Sequence, residues 1–519
     1  MMLSFLIFLL QSSSPNYSGY STQDALSYDL AVKVSTSGKI ECDVEYCFRL
    51  SPDTKTLYLD RMPSDGWQVD FTTVTGDNIE CKITDYRYEI LCSSFLNPED
   101  RIVRFKAKMS GFPESVEGLY RERNYYGDTY LFSDGFPART RAWLPCEDSN
   151  SDRADFNLSL TIPKGWVAIG AGSWRELLVD DFNVVYQGNT ESPIPPSLFA
   201  FAAGPFARVA EEGDERFSPH YVFPQDVKKS TEYLTSHSVF MRWMEEKFGP
   251  YLYAKYTTVQ VPTRWGGMEY PGNVWLAQKI FDYPGGGVGT MAHEFAHMWF
   301  GDGVGSSSWS DSWLSEGFAS YFGPILYTLV SETSLDDEMI VARNRWRRAK
   351  RAHQKPIVYS EFESPEVFFG KYASNTYQKG AWVLHMLREE VGEELFFLSI
   401  KNYYLKHATQ SVSTDDLIEC FELICKRELR WFFEQWLLQP GCPVVSASFD
   451  ELGQSVTIAS SPGNFDFDLE IQYTTSDGVE EVLNCKFNKG VKQQTISLEG
   501  AGNHSLILDP NIKLLFIED

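Results

Sequence analysis

The chain is short of positive charge. Its 519 residues hold 46 Lys and Arg against 71 Asp and Glu, a formal net charge of −25. A nucleic-acid partner needs a basic face to neutralise its phosphates, so this balance predicts no nucleic-acid binding. An acidic cleft instead suits cationic groups such as peptide amino termini. Long apolar runs are also missing, and the pattern predicts no transmembrane anchor. The nine cysteines, an odd number, include no CxxC pair. Cys42 and Cys47 lie five apart in a strand-like run, and at about 3.3 Å per residue they are beyond disulfide reach. Cys81 and Cys92 face each other if a hairpin joins them and are otherwise buried thiols.

Aromatics (15%) and hydrophobic residues (43%) are plentiful enough for a sizeable core. The start, "MMLSFLIFLLQSSSPN", carries an apolar run at 3–10, too short to span a bilayer. It resembles the h-region of a secretory signal, without the usual leading Lys or Arg. The expectation is a signal peptide over 1–16 and a secreted or periplasmic protein. The alternative is an irregular start to the first domain of a cytoplasmic one.

Residues 24–210 alternate apolar and polar with period two, as in "KIECDVEYCFRL" and "DFNLSLTIP", between Gly, Pro, Asp and Asn turns. They predict a β-rich domain. Helical spacing then takes over at 227–248 and recurs at 289–301, 311–330, 376–389, 392–406, 414–426 and 428–437. After the breaker "QPGCP" the tail reads as strands again. The expected fold is multidomain α+β, divided into 17–210 (β-rich), 211–440 (mainly helical) and 441–519 (a small β-sandwich). The glycines at 285–289 lack the Lys-Ser/Thr of a phosphate loop and read as a flexible entry to the next helix.

That helix carries "MAHEFAHMWFGD". His293 and His297, four apart, share one helical face with roughly 6 Å between their side-chain roots, which suits two imidazoles converging on one ion. Glu294 lies about 100° round the helix and can address a metal-bound water without being a ligand. A third ligand is needed. No His follows in "MWFGDG", but "WSDSWLSEGFASYF" supplies Glu316, eighteen residues after His297, on an apolar helical pattern where an unpaired carboxylate is costly. Two His and one Glu leave a fourth position open, the mark of a catalytic zinc site with one Zn2+ per chain. Upstream, "RWGGMEY" places Gly266 and Gly267, which allow close backbone approach, beside Met268 and Glu269. A Glu269 carboxylate pairing with a free α-ammonium would admit only the first peptide bond; a plain turn is the alternative for this stretch taken alone.

His293-Glu294-x-x-His297 with Glu316 resembles the gluzincin zinc aminopeptidases, the family of aminopeptidase N and leukotriene hydrolase. "GGME", "RAWLPCED", "WLSEGFASYF", "TYQKGAWVLHML" and "WFFEQWLLQPGCP" extend the resemblance over most of 130–443. It implies a β saddle, a thermolysin-like catalytic domain and a small β-sandwich, without the large helical C-terminal domain of many members. It further implies that Glu269 holds the substrate amine, that Gly266 and Gly267 present backbone, and that Glu294 is general base. It implies that Tyr377 donates to the tetrahedral oxyanion. Asp311 reads as a carboxylate behind a zinc ligand, or as a solvated acid at a helix start. Two departures stand out. Tyr270 replaces the family's Asn after the exopeptidase Glu, and Asp134 stands where relatives carry an amine-binding stretch. The expected function is a zinc aminopeptidase acting on peptides with a free N-terminus. The alternatives are a zinc endopeptidase with a degraded amine clamp, an epoxide hydrolase, and a non-catalytic binding module.

Overall fold

The computed structural model describes every residue except 1–14, 211–213, 218, 264, 283–285, 451–453 and 499–500. The apolar run at 3–10 and Gly285 therefore lie outside the described residues. Strands and helices are mixed, with a β-rich first part and helices dominating from residue 286 to 438. The chain divides into two compact units. The first comprises residues 1–309, 364–366 and 407–413, and the second comprises 310–363, 367–406 and 414–519.

In the first unit, alternation produces the sheets expected of it. Ile40–Leu50 pairs antiparallel with Gln23–Val34, the central strand of a seven-stranded sheet, on one side and Ile102–Gly111 on the other. Its even positions Ile40, Cys42, Val44, Tyr46 and Phe48 are buried, so one face makes the core while Glu41, Asp43 and Arg49 meet solvent. Asp155–Pro163 runs parallel beside Gln23–Val34. A smaller sheet places Thr257–Val261 and Asn273–Ala277 in parallel, with Gly267–Met268 as its antiparallel edge. Helix α1 (Gly286–His297) belongs to this unit. The helical pattern at 227–248 forms two helices, Val227–Tyr233 and His237–Phe248, separated near Leu234.

The second unit contains α2 (Trp313–Thr328), a helix Leu335–Arg348, and α3 (Gly380–Val391). Thr414–Cys425 and Arg430–Leu438 add further helices. Leu335–Arg348 escaped the apolar-period reading because its surface is densely charged. A capping box, Ser334 with Asp337, marks its start. The tail forms a four-stranded and a three-stranded sheet. Arg343 ties them to the helices, donating to Asp509 at 2.7 Å and to the Leu514 carbonyl at 3.2 Å. All nine cysteines are free, and Cys81 stands opposite Ile90 in its hairpin rather than opposite Cys92.

Buried acids hold the beginning of the first unit together. Glu147 accepts from the Tyr20 amide at 2.7 Å and from Gln23 Nε2 at 2.8 Å, while Asp152 accepts from the Ala25 amide at 3.2 Å. Burial pushes both carboxyls up, and the Asp152 charge raises Glu147 further. A carboxyl whose folded value lies above its unfolded value of about 4 stabilises the fold at low pH, and that contribution is lost as pH rises. Asp152→Asn should therefore flatten the decline in melting temperature between about pH 5 and pH 9. Thermal melts across that window check this, and an unchanged slope would mean that the pair is ionised throughout.

Candidate metal centre

Both histidines sit at the C-terminal end of α1, where the helix repeat stacks residues four apart. Their rings meet nearly edge to face, at 87°, and the two Nε2 atoms are 3.2 Å apart. His297 is buried, and its Nδ1 lies 3.0 Å from the Phe300 carbonyl. A carbonyl only accepts, so Nδ1 carries the proton and the Nε2 lone pair is left for a metal. The donor set thus fits a zinc-type ion.

Carboxylates crowd the same place. Glu269, Glu294 and His297 offer ligand atoms within 4.8 Å of one another, and Glu269 Oε1 lies 3.7 Å from His297 Nδ1. Both glutamates are buried. The edge strand Gly267–Met268 passes close over α1, where a Cβ at Gly267 would collide with the Glu294 carboxylate. Gly266 is roomier, with only the Thr290 methyl near its missing Cβ, at 3.9 Å. Its carbonyl accepts from the Ala277 amide at 3.0 Å, which anchors the edge strand. Met268 is half-buried beside them.

Asp302 went unassigned in the sequence reading. It is 1% exposed, and neither carboxylate oxygen has a hydrogen-bond partner among the described residues. Burial pushes its carboxyl well up; Glu269 and Glu294 add to this, while His297 and Arg153 oppose it. "MWFGDG" gave no periodic signal that Asp302 would turn inward.

The two departures from the family pattern meet each other. Tyr270 is fully buried against Trp275, ring centroids 4.6 Å apart, and its hydroxyl donates to Asp134 at 3.1 Å. Arg139 pairs with the other Asp134 oxygen at 3.2 Å.

In the second unit, α2 carries the buried Glu316 in its first turn. Tyr377 donates its hydroxyl to Glu316 Oε1 at 2.5 Å, from a π-helical turn, Asn375–Lys379, that leads into α3. Asp311 accepts from the Thr414 amide at 3.0 Å and its hydroxyl at 2.7 Å, at the start of Thr414–Cys425.

Paired imidazoles on one helix with buried carboxylates around them define a metallopeptidase-like centre. Residues 233–436 match the Peptidase family M1 domain. It is similar to probable aminopeptidase 1 of Sulfurisphaera tokodaii, 23% identical over 87% of this chain and 61% of that protein. It is similar also to leucyl aminopeptidase of Saccharolobus solfataricus, 24% identical over 77% and 51%. Aminopeptidase N of Streptomyces lividans is 27% identical over 72% and 45%. The chain thus spans about half the length of the curated relatives it matches.

Gly267→Ala should displace Glu294 and lower peptide hydrolysis by at least about tenfold, a loss near 1.4 kcal/mol of barrier stabilisation, with little change in melting temperature. Wild-type turnover in this variant would show that Glu294 has other room.

Proposed function

We propose that the chain is a zinc-dependent aminopeptidase that hydrolyses the N-terminal peptide bond of peptides. The observation that carries this reading is the pair of Nε2 atoms 3.2 Å apart, with Glu269 and Glu294 buried beside them, inside an M1 domain match. His293, His297 and Glu316 are proposed to hold one zinc ion, which when bound supplies Lewis-acid polarisation of the scissile carbonyl and acidifies water toward a pKa of about 7. On the proposed division, 17–210 is a saddle domain, 211–440 the thermolysin-like catalytic domain and 441–519 a β-sandwich. Asp311 stands behind the ligand helix α2 and steadies it through Thr414.

Glu294 takes the proton of the attacking water on its carboxylate and passes it to the leaving amine nitrogen. Tyr377 turns its hydroxyl proton from Glu316 Oε1 to the oxyanion as charge develops there. Glu269 pairs with the substrate's α-ammonium, so that only the first peptide bond is in register. Gly266 and Gly267 offer backbone to the extended peptide, and Met268 borders the first side chain. Asp134 serves the amine from behind: paired with Arg139 and accepting from Tyr270, it fixes the residue next to Glu269.

Mass-spectrometric digestion of one peptide with a free and with an acetylated N-terminus, each with and without chelator, tests the proposal. Stepwise loss of residues from the free form only, stopped by chelator, is the expected result. Internal cleavage of both forms would replace it with an endopeptidase. Glu294→Gln should cut turnover by roughly a thousandfold or more with zinc content retained.

A further inference from the structure

The turn that carries Tyr377 is built more elaborately than a helix needs. Asn375–Lys379 is π-helical, and such turns put one extra residue into a helix, commonly at functional sites. Tyr377 is its midpoint. The two ends are held by buried side chains. Asn375 donates through Nδ2 to the Ala352 and Lys355 carbonyls, each at 2.8 Å, and its Oδ1 accepts from Trp346 Nε1 at 2.9 Å. Those three groups fix the orientation of the amide.

At the other end Lys379 is fully buried and donates to the Gln439 carbonyl at 3.0 Å. Burial pulls the amine down to about 8. A buried ammonium with one carbonyl partner is costly, and an apolar side chain of like length would fill the space more cheaply. What Lys379 provides in return is direction: a staple between the end of the turn and the segment that follows Arg430–Leu438.

The partner helix is held just as closely. Gly317 follows Glu316 and Gly380 follows Lys379. A Cβ on Gly317 would lie 3.1 Å from the Gly380 Cα, and one on Gly380 would lie 3.0 Å from the Gly317 Cα. The backbones of α2 and α3 therefore meet without side chains between them, one residue from Glu316 and three from Tyr377. That contact sets the distance, and the two stapled ends set the direction.

We infer that Asn375 and Lys379 are positioning residues, which lock the π-turn so that the Tyr377 hydroxyl is held at Glu316 Oε1. The kinetic consequence rests on the aminopeptidase reading, in which Tyr377 acts in the transition state. The lock itself does not.

Two measurements test it. Hydrogen exchange on the wild-type protein needs no activity. The Gly380 amide, bonded to the Asn375 and Tyr377 carbonyls, should fall in the slowest-exchanging class, opening only with global unfolding. Exchange by local opening would overturn the lock whether or not the protein is a peptidase. In the active enzyme, Lys379→Met should lower kcat by about tenfold or more with KM changed less than about twofold, as Tyr377→Phe should. The double variant should be no slower than Tyr377→Phe alone, because a lost hydroxyl has no position to lose. Multiplying effects would reduce Lys379 to a purely structural role. A wild type without peptidase activity would sink the functional reading and leave the exchange result to decide the lock.

Discussion

Carboxylates that share a buried space repel each other and need positive charge. The first unit places Glu269, Glu294 and Asp302 around His297, with Arg153 opposing the rise of the Asp302 carboxyl. Much of the surrounding structure follows from that concentration of acid. The Phe300 carbonyl holds one imidazole tautomer, and the short edge strand brings Glu269 beside the helix that carries Glu294. On the proposed function, a divalent cation and a substrate ammonium supply that positive charge.

Missing side chains do as much of the positioning as present ones. Gly267 gives the Glu294 carboxylate its room, and Gly317 with Gly380 lets two helices touch beside Glu316 and Tyr377. At Gly267 a methyl group would meet the Glu294 carboxylate, and at Gly317 and Gly380 it would meet the backbone of the facing helix. Close approach of backbone is the reason, since none of the three has a positive φ.

Tyr270 and Asp134 join two segments far apart in the chain through one buried hydrogen bond. The Tyr270 hydroxyl reaches an acid that Arg139 also binds. The result is a closed set of polar partners next to Glu269 rather than an unpaired carboxylate.

The sequence by itself determined the two imidazoles, since a four-residue spacing on a helix dictates a shared face, and it determined the β-rich first part through strict alternation. Helices at 311–330 and 414–426 were legible for the same periodic reason and appear as Trp313–Thr328 and Thr414–Cys425. Tertiary structure alone decided the rest. The pattern at 227–248 runs through a break it does not record, and the π-turn at Asn375–Lys379 reads as ordinary helix. Asp302 turns inward, and Asn375 finds carbonyls some twenty residues away. Periodicity reports which face of an element is apolar; it carries no information about which distant backbone will come within hydrogen-bonding reach, and that is settled only by packing.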